Sequence, residues 1–137
     1  MIIGCDSTFE FNGRSLGKPG TPEVAIARCK ELRGNFGLLH TGHCIIDTEQ
    51  GIEISDLSTS KVYFAEMTDS EIEAYVSSGE PLEVAGGFTL DGLSAPFISR
   101  IEGDPSGIIG LSLPLLRRAV NSLGLRWEEL SGMSVPA

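Results

Sequence analysis

The chain has 137 residues and a formal charge of −9, from ten Lys and Arg against nineteen Asp and Glu, with 41% hydrophobic and 21% charged residues. This is the composition of one globular domain able to bury a core without a metal or disulfide staple, and its acidic excess argues against a nucleic acid polymer or an anionic membrane as partner. No apolar run reaches the roughly eighteen residues of a membrane span, and the three cysteines, Cys5, Cys29 and Cys44, form no C-x-x-C pair, which fits a reducing, cytoplasmic setting.

In chain order, residues 1–5 read as the end of a buried strand, with Asp6 directly after it. Asn12-Gly13 between two β-prone runs predicts a hairpin with a two-residue turn. Thr21-Pro22-Glu23 combines a cap, a first-turn proline and an early acid, so a helix starts there, buries Ala25, Cys29 and Leu32, and stops at Gly34. Residues 37–47 read as a strand, 48–51 as a turn, and 52–55 and 61–65 as two further strands. Thr68-Asp69-Ser70-Glu71 is a capping box, opening a helix with Ile72, Tyr75 and Val76 on one face. Residues 86–90 and 96–102 are predicted strands, 103–107 a turn, and 113–123 a helix closed by Gly124. The tail from residue 125 to 137 reads as loose, although Trp127 is a candidate to dock. Strands interspersed with three helices predict one α/β or α+β domain, residues 1–137, around a mixed sheet.

Among chemistry-bearing residues, Asp6 at a strand end and Lys18 in Gly17-Lys18-Pro19 suit phosphoryl transfer: a carboxylate holds a metal or takes a proton from water, and an ammonium offsets phosphate charge. Spacing alone leaves open the plainer alternative of a turn-capping Asp6 and a solvated Lys18. Glu80, Asp91, Glu102 and Asp104 lie beside glycine or proline at element ends, with Glu83 close by, a pattern of either solvated turns or a cleft rim. His40 and His43, three apart on a strand, point to opposite faces and read as structural rather than as metal ligands. The three cysteines read as core thiols, and Arg117-Arg118 as a solvated helix face.

Ile2-Ile3-Gly4-Cys5-Asp6-Ser7-Thr8, Gly17-Lys18-Pro19, Thr41-Gly42, Gly79-Glu80-Pro81 with Ala85-Gly86, and Ile101-Glu102-Gly103-Asp104 before Ile109-Gly110-Leu111-Ser112-Leu113-Pro114 occur in that order. Together they resemble the Maf family, also called septum formation inhibitor proteins, over residues 1–124, and Gly87-Phe88-Thr89-Leu90-Asp91-Gly92 is most similar to its actinobacterial members. The resemblance implies an α/β fold with a central mixed sheet, flanking helices and a cleft between two lobes, as in Maf and ITPase-like proteins. It implies a nucleoside triphosphate pyrophosphatase, dependent on Mg²⁺ or Mn²⁺, that releases nucleoside monophosphate and pyrophosphate from standard or modified nucleotides. Asp6 then matches the catalytic base and metal ligand, Lys18 a lysine on the triphosphate, and Glu80 and Asp91 further substrate contacts. Homodimers are common in the family.

The family's amino-terminal Ser-Pro-Arg-Arg segment has no counterpart here, Val84 and Asp91 replace a usual lysine and glutamine, and Gly107 stands where asparagine is common. The chain is therefore expected to begin inside the domain, with an unpaired sheet edge, fewer cations for a triphosphate and weak or no activity. The alternative expectation is a non-catalytic chain that binds nucleotides or pairs with another subunit.

Overall fold

The structure, a computed structural model, describes residues 1–133. Five strands, β1 (Ile2–Phe11), β2 (Arg14–Leu16), β3 (Phe36–Asp47), β4 (Ile52–Phe64) and β5 (Ile98–Glu102), form one sheet in the order β2-β1-β3-β4-β5. Every pairing is antiparallel, so the α/β class holds while the expected mixed sheet is corrected. Tight connections explain the difference: Asn12-Gly13, both with positive φ, close the β1–β2 hairpin, and Gly51 (φ 68°) closes β3–β4.

Helix α1 (Pro22–Leu32) starts as expected, with the Thr21 hydroxyl accepting the Val24 N–H, and buries Ala25, Cys29 and Leu32. Helix α2 (Asp69–Ser77) carries the complete capping box between Thr68 and Glu71. Three short 3-10 turns, Glu80–Glu83, Ala85–Gly87 and Ala95–Phe97, precede β5. After it come α3 (Pro105–Ile109), α4 (Leu113–Ser122) and the short α5 (Trp127–Leu130). The predicted loose tail thus holds a helical turn, with Trp127 packed on a core; residues 134–137 lie outside the described residues. Among the described residues no helix is long and apolar enough to cross a membrane.

Strand alternation sends Phe9, Leu39, Val62 and Ile45 to one face of the sheet. Two separate apolar clusters cover that face. The larger joins Phe9, Phe11, Leu39, Val62 and Phe64 to α1, α2 and Phe88; the smaller joins Ile45 and Ile54 to Leu115, Leu116, Ala119 and Val120 of α4. Between the clusters the middle of β4 is polar, which is why the sequence reads as two strands where the chain forms one. Small polar residues are needed there because the 103–107 segment lies against the strand: a Cβ on Gly103 would stand 2.7 Å from Ser60 Oγ, and one on Gly107 2.5 Å from Ser58 Oγ.

Three other expectations change. The run 86–90 is not a strand, because Gly86 (φ 75°) and Gly87 (φ 81°) turn the chain sharply and drop Phe88 into the core. The start of β1 is exposed rather than buried, Ile2 at 57% and Ile3 at 41%, and of the cysteines only Cys29 is a core thiol: Cys5 is exposed and Cys44 half-buried.

The larger cluster is centred on Phe9, fully buried and edge-on to Phe88 (5.0 Å) and Phe64 (6.1 Å). Its ring fills space that two glycines leave: a Cβ on Gly37 would sit 2.2 Å from Phe9 Cζ, and one on Gly86 2.8 Å from Phe9 Cγ. Overpacking of this kind costs about 1–3 kcal/mol. Gly37→Ala should therefore lower the urea midpoint by an amount equivalent to about 2 kcal/mol, with the slope unchanged; an unaltered midpoint would show that the Phe9 ring has room to shift.

Candidate active site

The hairpin fixes which way the backbone of β1 faces. Its two-residue turn makes Phe11 and Arg14 a hydrogen-bonded pair, so Phe11 and Phe9 turn their N–H groups toward β2. By alternation Ser7, Cys5 and Ile3 turn theirs to the same side, where β2 no longer reaches and no strand lies among the described residues. Asp6 meets this edge with its own side chain: its Oδ1 accepts the Ser7 N–H at 2.9 Å. The carboxylate therefore sits on the rim of the sheet.

From that rim Asp6 borders an open hollow of about 430 Å³, shared with Lys18, within the range of roughly 300–1,000 Å³ typical of small-ligand sites. Cys5, Ser7 and Leu39 contribute from the sheet, Gly17 and Lys18 from the loop after β2, Glu83, Val84 and Phe88 from the 3-10 segment, and residues 108–110 from α3 and its end. The hollow thus lies against the larger apolar cluster, which lends it Leu39, Phe88 and Ile108. The two residues that carry the phosphoryl reading share one cleft.

The Lys18 loop is tied down on both sides. Arg28 of α1 donates to the Gly17 carbonyl, the Gly20 N–H donates to Leu82 O at 3.1 Å, and Pro19 lies so close to Gly87 that a Cβ there would stand 3.2 Å from it. Tyr75, whose hydroxyl donates to Gly87 O at 3.2 Å, supports the same turn. Burial pushes the Tyr75 phenol up to about 12, with the Glu80 charge adding to the effect and a hydrogen bond with Ser94 opposing it, so it remains a donor throughout the neutral range.

The other expected substrate contacts are placed differently. Glu80 is outside the residues that line this hollow. Its Oε1 accepts from Thr89 Oγ1 at 2.8 Å, and both its oxygens accept the Leu93 N–H at 3.0 Å. It braces the turn that carries Asp91, and Asp91 is exposed and also outside the lining. Glu83, which sequence reading set among the acid-glycine edges without singling it out, is the second carboxylate of the cleft. The available signal was its position three residues before Gly86, whose φ of 75° turns the chain.

The far wall is built by capping. Asp104 accepts from the Ser106 N–H (3.0 Å), the Gly107 N–H (3.1 Å) and the Ser106 hydroxyl (2.7 Å), and that hydroxyl oxygen accepts the Leu113 N–H at 2.9 Å. Burial pushes the Asp104 carboxyl up, but hydrogen bonds from Ser112, from Ser106 and from the Ser106 and Gly107 amides outweigh it and hold it below the usual aspartate range. Of the two histidines, His43 is buried and His40 lies half-buried on the opposite face, near Thr59 (2.9 Å) and Glu10 (3.6 Å). Arg117 and Arg118 are exposed on α4.

For divalent metal the cleft offers hard oxygen donors, Asp6 and Glu83, while among the described residues no three His, Cys, Asp or Glu side chains gather as a cage. That set fits a cation which arrives with phosphate ligands and keeps part of its water, as Mg²⁺ does.

A carboxyl that titrates lower folded than unfolded adds stability that is complete at neutral pH and lost as pH falls through the folded value. Asp104→Ala should thus cost about 1 kcal/mol at neutral pH, and the gap from the unaltered chain should close below about pH 4. Urea unfolding at both pH values measures it, and a gap independent of pH would contradict the role of the charge.

Comparison with known proteins places this geometry in context. The family described as Maf-like protein matches residues 1–123. A nucleoside triphosphate pyrophosphatase of Streptomyces coelicolor is 55% identical over 130 residues, 95% of this chain and 63% of that protein. One from Salinispora tropica is 50% identical over 125 residues, covering 91% and 55%. A nucleoside triphosphate pyrophosphatase/Nudix hydrolase fusion protein of Bifidobacterium longum is 51% identical over 130 residues, 95% of this chain and 27% of the relative. The chain spans less than two thirds of the length of each of these relatives.

Proposed function

This chain belongs to the Maf-like protein family, and we propose that its cleft binds a nucleoside triphosphate and hydrolyses the α–β phosphoanhydride. The observation that carries the reading is that Asp6 on β1 and Lys18 in the loop after β2, twelve positions apart in sequence, border one hollow. The names of the relatives support the reaction class.

In this reading Asp6 is the general base. Its carboxylate takes a proton from a water, the water oxygen bonds to the α-phosphorus, and the bond from that phosphorus to the α–β bridging oxygen breaks, so that pyrophosphate leaves with the electron pair. Lys18 places its positive charge against the phosphate oxygens as negative charge shifts toward the leaving group. A divalent cation, Mg²⁺ or Mn²⁺, carried with the triphosphate would be held by Asp6 with Glu83 beside it, and would neutralise phosphate charge. Val84, Phe88 and residues 108–110 give the hollow apolar walls suited to the nucleoside. Glu80 acts through the 89–93 turn, and Asp91 at its tip is the group left to contact a base that extends past the lining. The setting in which free nucleotides meet such an enzyme is the cytoplasm.

One observation favours a second reading, a chain that binds nucleotide without turning it over: Lys18 is the single cation among the described residues lining the hollow, in a chain of charge −9. One experiment separates the two. With a triphosphate and Mg²⁺, the first reading expects release of pyrophosphate, a fall of roughly 10²–10⁴-fold in Asp6→Asn, and binding weakened about tenfold or more in Lys18→Ala. Calorimetric binding of a non-hydrolysable analogue, together with no product from the triphosphate itself, would establish the second reading. Release of orthophosphate in place of pyrophosphate would refute the proposed bond cleavage.

A further inference from the structure

We propose that His43 is a positioning residue which, as a neutral imidazole, clamps the 107–112 segment to the central strand and so fixes one wall of the cleft. The inference rests on the reading of that cleft as a nucleotide site, but its geometry is independent of it. His43 is 3% exposed. Its Nδ1 lies 2.9 Å from the Thr41 carbonyl, and its Nε2 lies 2.8 Å from the Ser112 backbone nitrogen.

A carbonyl only accepts, so Nδ1 carries the hydrogen; a backbone N–H only donates, so Nε2 keeps its lone pair. Of the three forms of imidazole, only the neutral one protonated on Nδ1 makes both bonds. Thr41, two residues earlier on the same face of β3, holds the other end of the segment, since its hydroxyl donates to Gly107 O at 2.8 Å. Having donated there, it accepts from the Ser7 hydroxyl, also at 2.8 Å. Residues 108–110, which line the hollow, therefore run between two polar attachment points on one strand, Gly107 on Thr41 and Ser112 on His43, with Ile108 packed into the larger cluster between them. Through Ser7 the same network reaches the residue next to Asp6.

The Ser112 N–H sits where α4 begins, and the Ser112 hydroxyl caps that helix by accepting the Leu115 N–H at 3.3 Å. Loss of the His43 bond would leave a buried donor without a partner at the hinge between wall and helix. An imidazolium has no lone pair for it and would have the same effect. The titratable side chains facing His43 across the sheet are Cys5 on β1 and Asp56 on β4, its register partners, with Asp104 beside Ser112 on the helical side.

The test joins three measurements on the whole chain. Nitrogen NMR at neutral pH should report His43 with Nδ1 protonated and Nε2 bare; a charged ring or the opposite tautomer would overturn the clamp. In His43→Leu, amide exchange at Ser112 and residues 108–110 should rise roughly tenfold, the size expected of one orphaned buried N–H, and binding of a non-hydrolysable triphosphate analogue should weaken by a similar factor. His43→Gln, whose amide both donates and accepts, should restore both to within about threefold, a rescue that mere filling of space would not give. Unchanged exchange in His43→Leu would overturn the proposal. Should the unaltered chain not bind the analogue at all, the nucleotide reading fails, while tautomer and exchange still decide the clamp. If His43→Leu does not fold, the tautomer together with exchange in His43→Gln decides it.

Discussion

The ring of Phe9 sets the position of everything that matters chemically in β1. It is fully buried and wedged where Gly37 and Gly86 leave no room for a Cβ, so the strand cannot slide by even one residue without pushing the ring out of that space. Because the period of a strand is two, fixing Phe9 also fixes Ser7 and Cys5 toward the hollow, and puts Asp6 on the rim where its carboxylate folds over the Ser7 N–H. The same contact fixes the other side of the cleft, since Gly86 belongs to the segment that presents Glu83, Val84 and Phe88. One aromatic contact thus links the strand of the proposed base to the turn that faces it.

The opposite wall is held by a different kind of force. Where the larger cluster uses aromatic packing, the 103–112 segment adds to the burial of Ile108 a set of polar contacts at short range: Asp104 capping the start of α3, Thr41 on Gly107, His43 on Ser112. Glycines at 103 and 107 let the backbone approach Ser58 and Ser60 closely. Among the described residues no buried side-chain nitrogen or oxygen lacks a partner, so this polar seam is satisfied throughout and is as specific as the apolar one. The cleft is the line along which the two meet.

Much of this was legible from the residues because local signals decided it. The Asn12-Gly13 turn, the Thr21 and Thr68 caps and the buried faces of α1 and α2 are all set by neighbours within four positions, and each stands where the sequence places it. The misses share a cause as well. Residues 86–90 have the composition of a strand, and the glycine pair that bends them takes its meaning from Phe9, some eighty positions away. The polar centre of β4 looks like a break because the segment it receives lies forty residues downstream. Cys5 reads as core because alternation cannot tell a covered strand from one at an edge. Asp6 and Lys18 were paired from residue type, weakly, and only the family resemblance gave the pair definite roles. Glu83 gave only the weak signal of the glycines that follow it, and His43 only a structural reading, since their partners are set once the sheet has formed.

The rims of the sheet have a bearing on how the molecule behaves in a crowd. Beyond β2 on one side and β5 on the other, the long strands run on without a neighbouring strand among the described residues, and on both rims an aspartate turns back to occupy the next backbone N–H, Asp6 on Ser7 and Asp56 on Leu57. Each fills the very slot that an intruding strand would need and marks it with negative charge, a guard against lateral growth into larger aggregates. On the β1 side that carboxylate is also the proposed base, so one pair of oxygen atoms faces both the open edge and the cleft.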